Sequence, residues 1–255
     1  MIQNRISIVC SSQNNFDLLR KHTLDTCGLP KDKVEFLGYE NKGSHSLSQI
    51  YNQGIADAKF DLIVFMHHDI IFETNNWGHK ICKHFSRNPE YGIIGVAGTN
   101  KLISGTWWQD RSSMHGIVNH SDKIKKWTSR FSEDQGNKLK EMVVLDGVWF
   151  AIDKTKIIHK FDESFNGYHF YDLGFTFANF LAGVKIGVCT DIRITHMSIG
   201  ITNDEWGINK KQFEEKYKQN LPCDLNEFRS VESFTNHNTN MVPPPNIGDD
   251  AKFTL

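Results

Sequence analysis

The apolar run Asp61-Leu62-Ile63-Val64-Phe65-Met66 stops abruptly at His67-His68-Asp69. Far downstream, Asp191-Ile192-Arg193-Ile194-Thr195-His196 ends in the same way. Strand-like runs that finish on metal-capable side chains point to a site at the carboxyl edge of a parallel sheet. Asp oxygen and His nitrogen together suit a divalent ion, Mn²⁺ or Mg²⁺. An ion facing a diphosphate there would neutralise the charge of a leaving nucleotide. Asp69 and His196 are therefore expected to meet at one cation. Continued strand geometry would put His67 and Asp69 on one side and leave His68 packed on the other. The neutral imidazole is the ligand form, so metal affinity should fall on acidification.

These strand ends sit within an alternation of strand and helix signals. Strands are expected over residues 5–10, 34–39, 61–66 and 91–97, and helices over 15–26, 46–59 and 77–85. Gly28 with Pro30, and Asn88 with Pro89, supply stop signals. Such alternation predicts βαβ units with right-handed crossovers. Residues 101–140 show no clean period and read as loops with one short helix covering the site. They carry Trp107, Trp108 and Trp127, and a basic cluster of Lys123, Lys125, Lys126 and Arg130 that either faces solvent or meets an anionic acceptor. Regular structure returns at 142–152, then as a helix over 169–182, a strand over 185–188 and a helix over 210–218. The expectation is a single α/β domain, residues 1–235, with a mostly parallel central sheet. An Asn- and Pro-rich tail, residues 236–255, lies outside it.

Bulk properties narrow the class. The chain has 255 residues, 39% hydrophobic and 23% charged, with 29 basic against 30 acidic residues. That balance gives no general pull toward nucleic acid or an anionic membrane. Six Trp and eighteen Phe exceed what a core alone needs and leave some for a pocket. Cys10, Cys27, Cys82, Cys189 and Cys223 are scattered, with no C-x-x-C spacing, as expected of reduced thiols in the cytoplasm. No stretch reaches membrane-spanning length, although peripheral membrane contact stays open.

The stretch Ser48-Gln49-Ile50-Tyr51-Asn52-Gln53-Gly54-Ile55-Ala56-Asp57-Ala58, with the strand ending at His67-His68-Asp69, resembles the GT-A glycosyltransferases of family 2. Leu145-Asp146-Gly147-Val148-Trp149-Phe150, Phe161-Asp162-Glu163-Ser164-Phe165, His169-Phe170-Tyr171-Asp172-Leu173, Gly183-Val184-Lys185-Ile186 and His196 follow in that family's order. The H-x-D form of the first motif, together with Gly95-Val96-Ala97-Gly98 and Trp107-Trp108, is most similar to the branch typified by streptomycin-biosynthesis glycosyltransferase-like proteins. Three positions depart from the wider family: His67 for the first Asp of D-x-D, Tyr171 for the Glu of E-D, and Gly174 for a following Asp.

The resemblance implies a Rossmann-like GT-A fold and a metal-dependent transfer of sugar from a nucleotide-diphosphate donor. A UDP-sugar is favoured as donor. The acceptor would be a glycan, a lipid-linked glycan or another hydroxyl compound, and the outcome would be inverting. Asp69 and His196 would then bind the metal. Asp172 would be the general base, and Asp146 would contact donor or acceptor hydroxyls. Cys10, Ser11 and Ser12, Glu40 and Asn41, Asn52 and Gly54, and His67 would meet the nucleotide. Two other classes remain open on the residues alone. A nucleotidyltransferase would want a glycine- and lysine-bearing phosphate loop, which Ser11-Ser12-Gln13-Asn14-Asn15 lacks. A nucleotide-sugar or glycan-binding protein without turnover would have no need of Asp172.

Overall fold

The computed structural model describes residues 4–230, apart from positions 15, 199 and 201. The expected tail, 236–255, lies outside the described residues. Ile6–Ser12 (β1) is buried along its whole length, the mark of a strand covered on both faces. Asp17–Cys27 (α1), Val34–Glu40 (β2), Leu47–Asp57 (α2) and the fully buried Leu62–Met66 (β3) follow. A reciprocal cap starts α2: the Gln49 N–H donates to Ser46 Oγ at 3.3 Å, and the Ser46 N–H donates to Gln49 Oε1 at 3.0 Å. Next come Ile70–Phe72 (β4), Trp77–Arg87 (α3), Tyr91–Gly95 (β5), Ala97–Thr99 (β6), Lys101–Leu102 (β7), Met114–Ser121 (β8) and Lys126–Arg130 (β9). Lys140–Met142 (β10), Val144–Leu145 (β11), Trp149–Asp153 (β12), Tyr171–Leu181 (α4), Lys185–Val188 (β13), Ile194–His196 (β14), Asp204–Lys216 (α5) and Cys223–Asp224 (β15) come next.

The central sheet runs β10-β13-β5-β12-β3-β1-β2. β12 is antiparallel to both of its neighbours, β3 and β5, while β1, β2 and β3 pair in parallel, as do β5 and β13. Five of the seven strands therefore point one way, and only β12 and β10 oppose them. Side-chain alternation on β12 separates the two faces. Trp149 meets Trp77 of α3 edge-on at 6.2 Å, and Trp77 donates to Thr23 of α1. Phe150 meets Phe65, which packs on Tyr51 of α2, and Phe175 of α4 stacks on Phe161 at 4.0 Å. Helices α1 and α3 thus cover one face, and α2 and α4 the other, in an α/β/α GT-A arrangement. A second sheet, β11-β6-β8-β14-β4 with β9 on β8, adjoins the ends of the central strands.

Several expectations shift. Residues 101–140 are not loops with one helix: they hold β7, β8 and β9, with only a short 3₁₀ turn at Arg111–Ser113. β9 is exposed along most of its length, so it carries no apolar period to betray it. The strand expected from Asp191 begins only at Ile194. Asp191 itself is drawn to His84 Nε2 at 2.7 Å and Lys80 Nζ at 3.2 Å. Helix α5 starts six positions before the expected 210, because Asn203 caps it by accepting from the Trp206 N–H at 2.9 Å.

Gly116 fixes the crossing of β8 over β6. Its φ is +124°, and a Cβ there would lie 2.1 Å from the Val96 carbonyl oxygen. Gly116→Ala should destabilise the fold by roughly 2–4 kcal/mol through backbone strain and overpacking. Urea unfolding reads this directly, and a wild-type midpoint would contradict the described crossing.

Candidate active site

The β3–β12 ladder continues one residue past β3: the His67 N–H donates to the Val148 carbonyl at 3.1 Å. That bond fixes the turn 67–69 against the turn 146–148. The third wall comes from β14, which pairs with β4 in the register His196↔Ile70. The Met197 N–H then donates to the Asp69 carbonyl at 2.8 Å. His67 Nδ1 lies 3.3 Å from His196 Nε2, and Asp69 Oδ1 lies 3.3 Å from the same nitrogen. One donor atom from each of His67, Asp69 and His196 falls within 4.8 Å of the other two. Two imidazoles and a carboxylate, with Ser198 Oγ 3.1 Å from His196 Nε2, form a donor set that fits Mn²⁺. Asp69 and His196 meet as expected, and His67 joins them. His68 does not pack away as strand geometry implied: the strand ends at Met66, and His68 is exposed on the cleft.

Tyr171 connects this cluster to the acid pair. Its hydroxyl donates to the Gly147 carbonyl at 3.0 Å and lies 2.7 Å from His67 Nε2. With its one proton directed at Gly147, the phenol oxygen accepts from His67 Nε2–H. The His67 lone pair is then left on Nδ1, facing His196 and Asp69. The adjacent Asp172 accepts from the Gly147 N–H at 2.7 Å, and Asp146 accepts from the Val148 N–H at 2.9 Å. Gly147 is obligatory here, since a Cβ would sit 2.0 Å from the Tyr171 hydroxyl. Tyr171 had entered only as a departure from a family motif; its contact across 104 positions leaves no mark in the sequence.

A cleft of about 340 Å³ opens beside the donor cluster. Ser11, Ser12, Asn41, His67 and Asp69, all among the expected site residues, line it, joined by Gln13, Asn14, Leu47, Tyr51, His68, Tyr168 and Ser198. Four expected nucleotide contacts are not on its wall. Cys10 is fully buried within β1. Gly54 faces β1, where a Cβ would meet Val9 Cγ1 at 2.5 Å, so it serves close helix–strand packing. Asn52 holds the 161–165 turn, accepting from the Phe161 N–H at 2.9 Å and donating to the Phe161 carbonyl at 2.9 Å and Glu163 Oε1 at 2.7 Å. Glu40 is exposed at the end of β2, outside the lining. Nothing in the sequence singled out Tyr168.

The electrostatics divide the site. Burial pushes His67 down to about 4, with the neighbouring His196 adding to the effect. Burial alone would raise Asp69, but the hydrogen bond and charge of His196 hold its carboxyl well below the usual range. Burial likewise opposes protonation of His196, yet the Asp69 hydrogen bond and charge raise that ring. Burial pushes Asp172 up to about 7, and the charge of Asp146 adds to the rise. An acid raised in this way weakens the fold as pH increases. Below about 4 both folded and unfolded chains hold the proton, and between about 4 and 7 the unfolded chain ionises first. Asp172→Asn removes that cost while keeping an acceptor for the Gly147 N–H. At pH 8 with chelator present it should stabilise the protein by on the order of 2–4 kcal/mol, the gain vanishing toward pH 4. Melting curves at the two pH values check this; no gain at pH 8 would contradict the raised carboxyl.

Comparison with known proteins bears on the fold and the family. The chain is similar in structure to GalNAc-T7, crystallised with UDP, GalNAc and Mn²⁺, at 11% identity and a TM-score of 0.53. The match covers 95% of this chain but only 59% of that one. A197 from STIV is also similar, at 11% identity and a TM-score of 0.45, over 76% of this chain and 86% of that one. At 11% identity the likeness to GalNAc-T7 is one of fold. No curated protein sequence matches. The model of the glycosyltransferase-like family, however, matches residues 8–223, the greater part of the chain and every element of the site. This chain belongs to the glycosyltransferase-like family.

Proposed function

We propose that this protein transfers a sugar from a nucleoside-diphosphate donor, with UDP the favoured nucleotide, to a hydroxyl on a glycan or lipid-linked glycan, with inversion. The observation that carries the reading is the juxtaposition of two chemically distinct groups across Gly147: the His67–Asp69–His196 donors and the raised Asp172 carboxylate. His67, Asp69 and His196 would hold a divalent cation, which when bound supplies positive charge against the donor's diphosphate. Ser11, Ser12, Asn41, Leu47 and Tyr51 form the wall on which the nucleotide would rest. Within the family, the His67-His68-Asp69 form of the motif supports the streptomycin-type branch.

Each group has a defined task in this scheme. Asp172 takes the proton from the acceptor hydroxyl as that oxygen attacks the anomeric carbon. The bond between that carbon and the diphosphate oxygen breaks, and the nucleoside diphosphate leaves from the opposite side. Asp146 keeps Asp172 basic through its charge and offers a free carboxylate oxygen to sugar hydroxyls. A general base near neutrality is well matched to proton abstraction at cellular pH. Five buried, unpaired cysteines agree with a reducing cytoplasmic setting. Among the described residues no helix is long and apolar enough to cross a membrane.

Two measurements test the scheme. Asp172→Asn should lower kcat on the order of 10²–10⁴-fold while leaving the affinity for UDP with Mn²⁺ nearly unchanged. Near-normal turnover would remove Asp172 from the chemistry and make Asp146 the next candidate. In the wild type, kcat/KM should rise about tenfold per pH unit and level off near 7, since only the ionised base is active. Asp146→Asn should move that limb to lower pH by removing a like charge. A limb that stays in place would show that Asp146 does not tune the base.

A further inference from the structure

The hairpin of β8 and β9 carries a cluster of exposed cations beside the site. Ser121 pairs with Lys126, so residues 122–125 form its tip. Lys123, Lys125, Lys126 and Arg130 are all exposed, and none forms an ion pair among the described residues. The lone acid of the tip, Asp122, is occupied by the turn: its Oδ1 accepts from the Ile124 and Lys125 N–H groups at 2.9 and 2.6 Å. Lys123 adopts φ +75°, a position where glycine or asparagine is the usual choice. Ile124 stands 90% exposed between these lysines. Trp127 is 38% exposed and stacks on His120 at 5.4 Å.

The base of the same hairpin adjoins the donor cluster. His120 of β8 is the register partner of His196 of β14, and their rings lie 6.0 Å apart. The tip lies about four residues beyond His120, roughly 13 Å along a strand. A surface touching the tip is thus held within about a headgroup's length of the site.

We propose that the β8–β9 hairpin docks the protein on an anionic lipid bilayer, with Ile124 inserted, Trp127 at the headgroup level and the lysines on the lipid charges. A chain of net charge −1 has no general attraction to anions, so the attraction must be local. A polyanion such as nucleic acid would account for the lysines but would gain nothing from an isoleucine exposed at their centre. A bilayer rewards the apolar tip, the interfacial tryptophan and the cations together. The proposal gives the acceptor of the preceding reading a location, at the membrane surface. The docking itself requires neither donor nor metal.

Co-sedimentation of the full chain with lipid vesicles tests it. The protein should bind vesicles of phosphatidylcholine mixed with phosphatidylglycerol, bind phosphatidylcholine alone far less, and be released by high salt. Each lysine near an anionic surface is worth about a fivefold change in partition. The triple variant Lys123→Gln, Lys125→Gln, Lys126→Gln, and separately Ile124→Glu, should each reduce binding by at least about tenfold. Both should melt at the wild-type temperature, since the altered side chains are exposed. Absence of binding to the anionic vesicles would overturn the proposal, as would binding that both variants leave intact. Retention on heparin with no vesicle binding would replace the bilayer by a polyanionic partner. Any of these failures leaves the transferase reading standing, and loss of transfer activity leaves the docking standing.

Discussion

The Tyr171 hydroxyl is the contact on which the site depends. It reaches the Gly147 carbonyl and the His67 ring at once, and so joins the start of α4 to the turns that follow β3 and precede β12. Without that bridge, the His67 ring would lose the partner that directs its Nδ1 lone pair toward Asp69 and His196. The neighbouring Asp172 carboxylate is held to the same turn through the Gly147 N–H. Residue 147 can be only glycine, because the phenol and the Asp172 Cβ occupy the space that any side chain would need. One backbone position thus serves both the donor cluster and the candidate base.

Charge is arranged in two compartments around that position. On one side, Asp69 and His196 satisfy one another while His67 stays neutral beneath them. On the other, Asp146 and Asp172 stand together, and among the described residues neither has a Lys or Arg partner. Holding two half-buried carboxylates side by side weakens a fold, and proteins tolerate such arrangements mainly where the chemistry requires them. The central sheet provides the stiffness that keeps the pair in place. β12, at its middle, carries Trp149 and Phe150 into two separate aromatic clusters on opposite faces.

Much of this was legible in the sequence, for identifiable reasons. Buried β1 and β3 read as continuous apolar runs, and the break at His67-His68-Asp69 marked where the sheet ends. The match of His196 with Asp69 rests on the expectation that parallel strands share one edge, but the two are brought together by the antiparallel β14–β4 pair of the second sheet. Three features escaped. The direction of β12 leaves no signature, because a strand buried on both faces reads the same either way. β8 and β9 mix histidine, asparagine, serine and lysine, and β9 has no buried face, so the second sheet carried no readable period. Asn52, Gly54 and Cys10 are expected at a nucleotide on the family resemblance alone. Yet their side-chain positions point into turns, strands and core, a matter of register that composition does not reveal.

The most direct test of the account is the location of a bound cation. Crystals grown or soaked with Mn²⁺ and UDP can be measured at a wavelength where manganese scatters anomalously. A single strong anomalous peak is predicted between His67 Nδ1, Asp69 and His196 Nε2, at coordination distances of roughly 2.0–2.3 Å, with the UDP diphosphate beside it. A peak elsewhere, or UDP bound in the cleft with no peak among these three residues, would contradict the assignment on which the proposed chemistry rests.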